Sequence, residues 1–258
     1  AAIAAFAAPA FAQSSVTLYG RVNTTVESQK VANQDRKVVV ANNSSRLGFK
    51  GVEDLGGGLK ASFNLEHGFN SDNGVAASTF WGREAWVQLA GGFGAVRLGN
   101  FTSEAYFATA DYISMHNHDT GSSSDDLYAF RTYRSSNKIG YFTPTVGGFS
   151  GSASVSAGEG APRERLFDLA ANYDQGPLHL GAGYSKEGNA KQFAVRGLYE
   201  MGAFTFGAYV QRETVDGVPG PDSRTIGRVS GMYALGASEF HVNVGGTKAG
   251  GSFGLSGA

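Results

Sequence analysis

Residues 45–66 read SRLGFKGVEDLGGGLKASFNLE, and this stretch decides the fold class. Before the three glycines at 56–58, apolar Leu47 and Phe49 alternate with polar residues such as Arg46, and the alternation resumes after the glycines. A period of two places successive side chains on opposite faces, which is the geometry of a β-strand. Glycine suits tight turns because it adopts positive φ without steric cost. The stretch therefore predicts an antiparallel β-hairpin with one apolar and one polar face.

The same alternation recurs along the chain and predicts an all-β, antiparallel fold. Further alternating segments lie at 16–23, 167–174, 178–185, 204–211 and 239–244. Short glycine-rich turns alternate with longer polar connections, which we place at about 30–37, 71–78, 101–134, 158–165, 186–191 and 214–224. Turns on one side and loops on the other are typical of a meander of hairpins, and we count about 13 strands. Since no linker or helical periodicity interrupts the pattern, we predict one domain.

Composition excludes several classes of protein. The chain has 258 residues, a formal net charge of -1 and no cysteine. The balanced charge gives no electrostatic case for binding nucleic acid. Without cysteine, neither a disulfide framework nor a thiolate metal site is possible. The 38 glycines and the 12% aromatic content fit a β-rich protein with many tight turns.

Residues 1–12, AAIAAFAAPAFA, have the character of a secretory signal peptide. They are small and apolar, and Ala10-Phe11-Ala12 fits the small-x-small pattern of a cleavage site. We predict a truncated signal peptide at 1–12 and a mature domain at 13–258 outside the cytoplasm, with a native apolar N-terminal helix as the alternative. Beyond this segment no run of about 18 apolar residues could form a membrane-spanning helix, but barrels cross membranes with strands of about ten residues.

Three features favour a transmembrane barrel over a soluble β-sandwich: the export signal, the two classes of connection, and the aromatic residues at strand ends, where interfacial girdles lie in barrels. The predicted strand at 80–90 is an exception. There Glu84 shares a face with Trp86, while Arg83 shares the other face with Val87. Because charge facing lipid is costly, we interpret this strand either as bulged or as part of a wall that faces a neighbouring subunit.

The longest connection, 101–134, is too apolar for a solvated linker. Loops of this length inside a compact fold are uncommon and are usually functional or disordered. Besides aromatic residues such as Tyr106 and Tyr112, this one carries the carboxylates Glu104, Asp111, Asp119, Asp125 and Asp126. We therefore predict that it folds against the rest of the protein.

Several segments resemble the general porins of β-proteobacterial outer membranes, the Neisseria and Bordetella type. The matching residues are SSVTLYGRV at 14–22, SRLGFKGVEDLGGGLKASFNLE at 45–66, GREAWVQLAGGFGAVRLGN at 82–100 and RSSNKIGYFTP at 134–144. The resemblance implies a 16-stranded antiparallel barrel in the outer membrane lipid bilayer, assembled as a homotrimer, with its third loop folded inward. It also implies passive diffusion of small hydrophilic solutes and ions. One departure is that this sequence ends GGSFGLSGA, which reads as loop, so we expect it to lack the last strands of the family.

The predicted site is a pore constriction with charges on two sides. On the barrel wall, alternation assigns Arg21, Arg46, Lys50, Arg134 and Lys138 to polar faces, and the resemblance adds Arg83 and supports Arg46 and Arg134. On the loop, the opposing acids are Glu104, Asp111, Asp125 and Asp126. Since charged rings and pore width set selectivity in channels, the basic wall predicts a preference for anions.

Other site chemistry is less well supported by the residues. His116, His118 and Asp119 have metal-ligand spacing, and Asp125-Asp126 could bind Ca²⁺, but we expect solvated loop residues and predict no metal and no cofactor. No nucleophile elbow or comparable motif is present, so we predict no enzyme and no catalytic residues. The alternatives are a soluble or surface β-rich binding protein, adhesin- or lectin-like, and a membrane-barrel hydrolase.

Overall fold

The computed structural model describes residues 15–30, 33, 35–115, 136–159, 164–217, 223–249 and 252–257. Strands dominate these ranges. In chain order they are β1 (Ser15–Arg21), β2 (Thr24–Gln29), β3 (Lys37–Asn42), β4 (Arg46–Gly56), β5 (Leu59–Gly68), β6 (Glu84–Gly91), β7 (Gly94–Asn100), β8 (Lys138–Phe142), β9 (Phe149–Ser156), β10 (Leu166–Gln175), β11 (Leu178–Glu187), β12 (Ala190–Met201), β13 (Phe204–Val215), β14 (Ser223–Leu235), β15 (Ser238–Ala249) and β16 (Ser252–Gly257).

The strands form an antiparallel meander, as predicted. Within the described ranges, fourteen strands make one sheet in the order β1-β4-β5 through to β16, and β2 pairs with β3 in a small two-stranded sheet next to the β1–β4 pair. The strands β1 and β16 form the edges of the large sheet. The predicted number, about 13, was close. The interpretation of the C-terminal segment as loop was wrong, because 252–257 pair with β15.

One connection is shorter than the sequence predicted. We placed a long polar loop at 186–191, but β11 continues to Glu187 and β12 starts at Ala190, and these two residues face each other in the register. Only Gly188 and Asn189 form the turn. Gly188 has a φ of 56°, a conformation that glycine adopts without strain. The pairing of the two strands therefore extends through residues whose polarity is typical of a loop.

The two faces of the large sheet differ in what covers them. The outer face carries exposed apolar side chains on nearly every strand, among them Leu18 at 62%, Phe206 at 49% and Val242 at 56% exposure. The inner face carries polar residues and is covered in part by the chain after β7. A soluble sandwich would bury its apolar face, whereas a transmembrane barrel turns that face to lipid. The exposure pattern therefore favours the barrel.

Strand β6 resolves the anomaly at Glu84. The predicted strand 80–90 was wrong at its start, because β6 begins at Glu84 and Arg83 precedes it. Glu84 lies on the inner face, where its Oε1 accepts hydrogen bonds from the backbone N of Thr102 (3.2 Å) and from the hydroxyl Oγ1 of the same residue (2.9 Å). Val87, on the outer face, is 57% exposed. Alternation is thus regular here, and neither a bulge nor a subunit interface is needed.

The buried core lies inside the sheet, between its inner face and the segment that follows β7. This segment forms a short helix α1 (Glu104–Tyr106), which continues as a π-helix (Phe107–Asp111) and a 3₁₀ turn (Tyr112–Ser114). Its apolar residues pack with two residues of the inner wall in one cluster, formed by Tyr106, Ala110, Ile113, Tyr209 and Ile226. The inward fold of the third loop is therefore confirmed. In the part of the chain that the structure describes, no helix is long and apolar enough to cross a membrane.

Candidate functional site

The third loop is fixed to the inner wall at its first residues. Asp168 on β10 accepts hydrogen bonds from the backbone N–H groups of Glu104 (2.9 Å) and Ala105 (3.1 Å). Ser103 accepts a further bond from the backbone of Tyr106 at 3.3 Å, as an N-cap residue does. The N–H groups of the first turn have no partner within the helix, and here they donate to a carboxylate. This arrangement is favourable at a helix start. In the sequence Asp168 is one polar residue of an alternating strand, and no motif marks its role.

A buried ion pair completes this attachment. Lys138 Nζ lies 3.0 Å from Glu104 Oε2 and 3.6 Å from Asp168 Oδ2, and the Lys138 side chain is 0% exposed. Ser154 donates a hydrogen bond to Glu104 Oε2 at 2.8 Å. Burial raises the pKa of Glu104 to about 7, Lys138 opposes this shift, and the Asp168 charge adds to it. We call Glu104, Lys138 and Asp168 the anchor triad.

The anchor triad changes the position of two residues that we predicted to line the constriction. Lys138 was assigned to the basic wall and Glu104 to the loop acids. The structure brings them together, but their side chains are 0% and 5% exposed. Side chains this deeply buried do not face the water-filled interior, because they lie between the loop and the inner wall. Their placement is that of an attachment point for the loop.

Further contacts hold the rest of the loop segment. Arg196 on β12 donates from Nε to the carbonyl of Ala108 at 2.9 Å, and its guanidinium lies 3.3 Å from the centre of the Tyr112 ring. Ser230 on β14 donates to the carbonyl of Ile113 at 2.7 Å. Both bonds hold the backbone of the segment on the wall, and the Ile113 carbonyl lies in its last turn, where carbonyls lack helical partners. Sequence reasoning missed Arg196, although its inward position follows from alternation within β12.

A glycine on β11 permits this close packing. A Cβ atom at Gly183 would lie 2.7 Å from the Cβ of Ala105 in α1. Any larger residue at this position of the wall would displace the helix. Glycine within a strand is typical of sites where another backbone approaches closely.

Tyr112 makes a second polar contact with the wall. Its hydroxyl donates to Asp174 Oδ1 at 2.9 Å and lies 2.9 Å from His179 Nδ1. Burial raises the pKa of Tyr112, and its hydrogen bond to Asp174 raises it further. The loop segment is thus attached from its first turn to Tyr112 by polar groups of the strands behind it.

Three arginines gather on a different part of the inner face. Arg21 on β1 faces Arg46 on β4 in the register. Both lie near Glu66 on β5, whose Oε1 is 2.5 Å from Arg83 Nε and whose Oε2 is 3.8 Å from Arg46 Nε. The hydroxyl of Tyr19 donates to the same carboxylate at 2.9 Å. We call Arg21, Arg46, Arg83 and Glu66 the wall cluster. Alternation alone places Glu66 on the polar face of its strand and gives it no further role.

The wall cluster is partly open to the interior. The side chain of Arg83 is 39% exposed and that of Arg46 is 19% exposed, whereas Glu66 is 10% exposed. Lys50 is exposed beside the cluster, with its Nζ 5.3 Å from the centre of the Tyr19 ring. The arginines therefore outnumber the Glu66 carboxylate, and part of their charge meets the interior space.

The remaining predicted site residues are only partly described. Asp111 lies at the end of the π-helix and is half-buried. Arg134, Asp125 and Asp126 lie outside the described residues, as do His116, His118 and Asp119. Among the residues whose placement is given, no group of three His, Asp or Glu side chains could hold a metal ion.

Comparison with known proteins agrees with this geometry. The family described as Gram-negative porin matches residues 1–256. Outer membrane porin protein 32 of Delftia acidovorans is 31% identical over 266 residues, which cover 92% of this chain and 73% of that protein. The major outer membrane protein P.IB of Neisseria lactamica is 31% identical over 207 residues, which cover 75% of this chain and 56% of that protein.

Solved structures share the fold. An anion-selective porin from Comamonas acidovorans matches with a TM-score of 0.76 and 26% identity, over 92% of this chain and 80% of that one. OmpF of Salmonella typhi matches with a TM-score of 0.71 and 16% identity, over 91% of this chain and 78% of that one, and at this identity it shows the fold alone. The resemblance found in the sequence is confirmed. The chain belongs to the family of Gram-negative porins, the β-barrel channels of the outer membrane.

Proposed function

We propose that this porin conducts small hydrophilic solutes and ions by passive diffusion, and that anions pass more readily than cations. The observation that carries the proposal is the wall cluster, in which three arginines surround one glutamate on the inner face. Glu66 and the neighbouring Glu84 offset only part of the positive charge. An anion that approaches this wall gains a favourable interaction, and a cation is repelled.

The position of the third loop supports the same proposal. The loop fills part of the interior, so permeating ions pass nearer to the remaining wall than they would in an open barrel. Low-dielectric walls and a narrow passage strengthen the field of fixed charges. Arg134 and the loop acids Asp111, Asp125 and Asp126 remain predicted members of this constriction. The Comamonas relative, described as anion-selective, is consistent with the sign of the preference.

The experiment is a reversal-potential measurement. The purified protein is inserted into a planar bilayer that separates two KCl solutions of different concentration. We expect stepwise conductance and a reversal potential of the sign given by chloride preference. A reversal potential of the opposite sign would reject the anion preference, whereas absence of conductance steps would reject the channel itself. The family favours a channel over an enzyme, and it does not favour the adhesin-like or hydrolase alternatives.

We also propose that the protein assembles as a homotrimer. Support comes from relatives, since an OmpT of Vibrio cholerae is described in a trimer form. Electrophoresis of unheated samples, together with chemical crosslinking in detergent, tests this. We expect a species of three times the subunit mass that heating converts to the monomer, and a monomer in both assays would contradict the proposal.

A further inference from the structure

Two histidines lie on the inner face of the sheet, close to the glycine turns. His179 on β11 faces Asp174 on β10 in the register, and His241 on β15 faces Met232 on β14. Asp174 binds the third loop, and Met232 lies two residues from Ser230, which also binds it. Residues that face each other, or that lie two apart in a strand, share a face, so both histidines lie on the face that the loop covers. Each lies within five residues of a glycine turn, at 176 and 236 respectively.

The third histidine whose placement is given has a different environment. His67 faces Leu47 in the register, and Leu47 is 44% exposed on the outer face of the sheet. The side chains of His179 and His241 are 16% and 20% exposed, so water in the interior reaches them. We call His179 and His241 the mouth histidines, because they lie at the end of the interior that the glycine turns surround.

Carboxylates face both ring nitrogens of His179. Its Nδ1 lies 2.9 Å from Asp174 Oδ1, and its Nε2 lies 3.6 Å from Glu200 Oε1 on β12. The hydroxyl of Tyr112 also lies 2.9 Å from Nδ1, and Arg196 Nη2 lies 3.7 Å from Asp174 Oδ1. A neutral imidazole has one N–H group, whereas the protonated ring has two. The protonated ring can therefore donate toward both carboxylates at once.

A carboxylate also lies next to His241. The Nε2 atom of this histidine is 3.1 Å from Glu239 Oε2 of the same strand. The residues that face this pair on β14 are Met232 and Ala234, and neither carries a charge. The pairing of β15 with β16 covers residues 244–249 and does not extend to His241. Protonation of His241 therefore places a positive charge directly beside the Glu239 carboxylate.

Protonation of both mouth histidines changes the charge of this part of the wall. The carboxylates Asp174, Glu200 and Glu239 are 37%, 57% and 57% exposed, so their fields reach the interior. With neutral imidazoles, these three carboxylates and Arg196 leave two net negative charges, and two protons cancel them. Histidine ordinarily changes charge between pH 5 and 8, whereas arginine stays charged throughout. This end of the interior is therefore titratable in a range where the arginines of the wall cluster are constant.

We propose that the mouth histidines make the ion preference of the channel depend on the pH of the solution on the glycine-turn side. The proposal rests on the proposed channel function, because it concerns the ions that pass the interior. A unit charge about 12 Å from an ion in water changes the occupancy of that ion about 1.8-fold, and it acts in opposite directions on anions and cations. Each proton therefore raises the ratio of chloride to potassium permeability about threefold, and two protons raise it about tenfold. Acidification shifts the preference toward anions, whatever its value at high pH.

The test measures reversal potentials of single channels in KCl gradients near 0.01 M, where the Debye length is about 30 Å. One compartment is brought from about pH 8 to about pH 5.5, where exposed carboxylates stay charged and exposed histidines are mostly protonated. The pH response is the factor by which the ratio of chloride to potassium permeability rises. We expect the response of the wild type to exceed that of His179→Gln/His241→Gln about tenfold. This excess should follow acidification of one compartment and not of the other.

The matched control is His67→Gln, which removes a histidine from the outer face and should keep the wild-type response. Titration of Glu104 contributes to all of these proteins and cancels in the comparison. Equal responses of the wild type and the double variant, or equal responses of one channel to the two compartments, would overturn the proposal. If the double variant does not fold, His241→Gln replaces it, with an expected response about threefold smaller than that of the wild type and an unchanged response as the contrary result. A channel that conducts without this pH response rejects the present inference alone, whereas absence of conductance steps rejects the channel itself.

Discussion

The wall cluster and the anchor triad are both built from basic and acidic side chains, but the two clusters have different roles. In the wall cluster the cations outnumber the carboxylate, and two of its arginine side chains are measurably exposed. In the anchor triad two carboxylates share one lysine, and the ion pair is 0% and 5% exposed. Both lie on the inner face of one sheet. The difference between them is whether water reaches the charges.

Because of this difference, the wall cluster can act electrostatically on permeating ions, whereas the anchor triad holds the loop on the wall. Partly exposed charge acts on ions that pass, because its field reaches the interior. Fully buried charge must be paired and hydrogen-bonded, since an unpaired buried ion costs several kcal/mol, and in the anchor triad Lys138 and two backbone N–H groups of the loop are the partners of the carboxylates. The comparison predicts that removing one partner from each cluster will have unequal effects on stability and on permeation.

The largest expected effect comes from Asp168→Ala. This change removes the acceptor for two backbone N–H groups of the loop and leaves Lys138 with one carboxylate. A buried N–H donor left without an acceptor costs about 1–3 kcal/mol, and Asp168 accepts from two of them in addition to its contact with Lys138. We expect a large decrease in the free energy of unfolding, measured by denaturant titration of the protein in detergent, together with noisier single-channel current as the loop loosens.

The matched change in the wall cluster is Arg83→Ala. Because this side chain is 39% exposed and its ion pair is screened by water, we expect a loss of at most about 1 kcal/mol. Equal destabilisation by Asp168→Ala and Arg83→Ala would show that the two clusters do not differ as described.

The next effect is a pH dependence of the stability that the anchor triad gives to the fold. Glu104 faces Lys138 from β8, Asp168 from β10 and Ser154 from β9, and its pKa is raised from 4.5 to about 7. A carboxyl whose folded pKa is raised stabilises the fold fully below its unfolded pKa, and this stabilisation is lost as the pH rises through about 7. The shift corresponds to at most about 3 kcal/mol.

The measurement compares thermal unfolding of the wild type and of Glu104→Gln between pH 8 and pH 5. We expect the wild type to gain stability on acidification relative to the variant, because the amide carries no proton that titrates. If the difference in unfolding temperature between the two proteins is constant across this range, the proposed titration of Glu104 is wrong.

Much of the fold could be predicted from the sequence because strand alternation is a local property. The hairpin at 45–66 and the meander follow from residues close in sequence. The ends of β6, β11 and β12 could not be predicted, because they depend on which residues pair across the sheet, as Glu187 does with Ala190.

The site could be predicted only where alternation reaches it. Parity alone places Arg46 with Lys50 on the polar face of β4. The partnership of Glu104 with Asp168 joins residues 64 positions apart and depends on the path of an irregular loop, for which sequence periodicity gives no information. Parity assigned Lys138 to the pore wall, but the third loop covers it, and the path of this loop does not follow from the sequence pattern.

Permeation should respond next to the double variant Arg46→Ala/Arg83→Ala. A unit charge about 8 Å from an ion in water contributes about 0.5 kcal/mol, a factor of about 2.4 in occupancy. Removing both arginines should therefore raise potassium occupancy about sixfold and lower chloride occupancy about sixfold, so the ratio of potassium to chloride permeability should rise about 30-fold. Reversal potentials near 0.1 M salt measure this, because the Debye length there is about 10 Å. The exposed Lys60→Ala is the control, and an identical shift in that variant would remove the wall cluster from the permeation path.

The smallest effect, of opposite sign, is expected from Glu66→Gln. This change removes one negative charge and leaves the three arginines in place, while the amide oxygen can still accept the hydrogen bond from Tyr19. By the same Coulomb reasoning, the ratio of chloride to potassium permeability should increase about sixfold under the same salt conditions. Because the arginines then repel one another without a shared partner, we also expect them to be more mobile, and the open-channel current to be noisier. A shift toward potassium would show that Glu66 acts mainly by holding the arginines in position, and that the field of the wall cluster depends on their arrangement more than on their number.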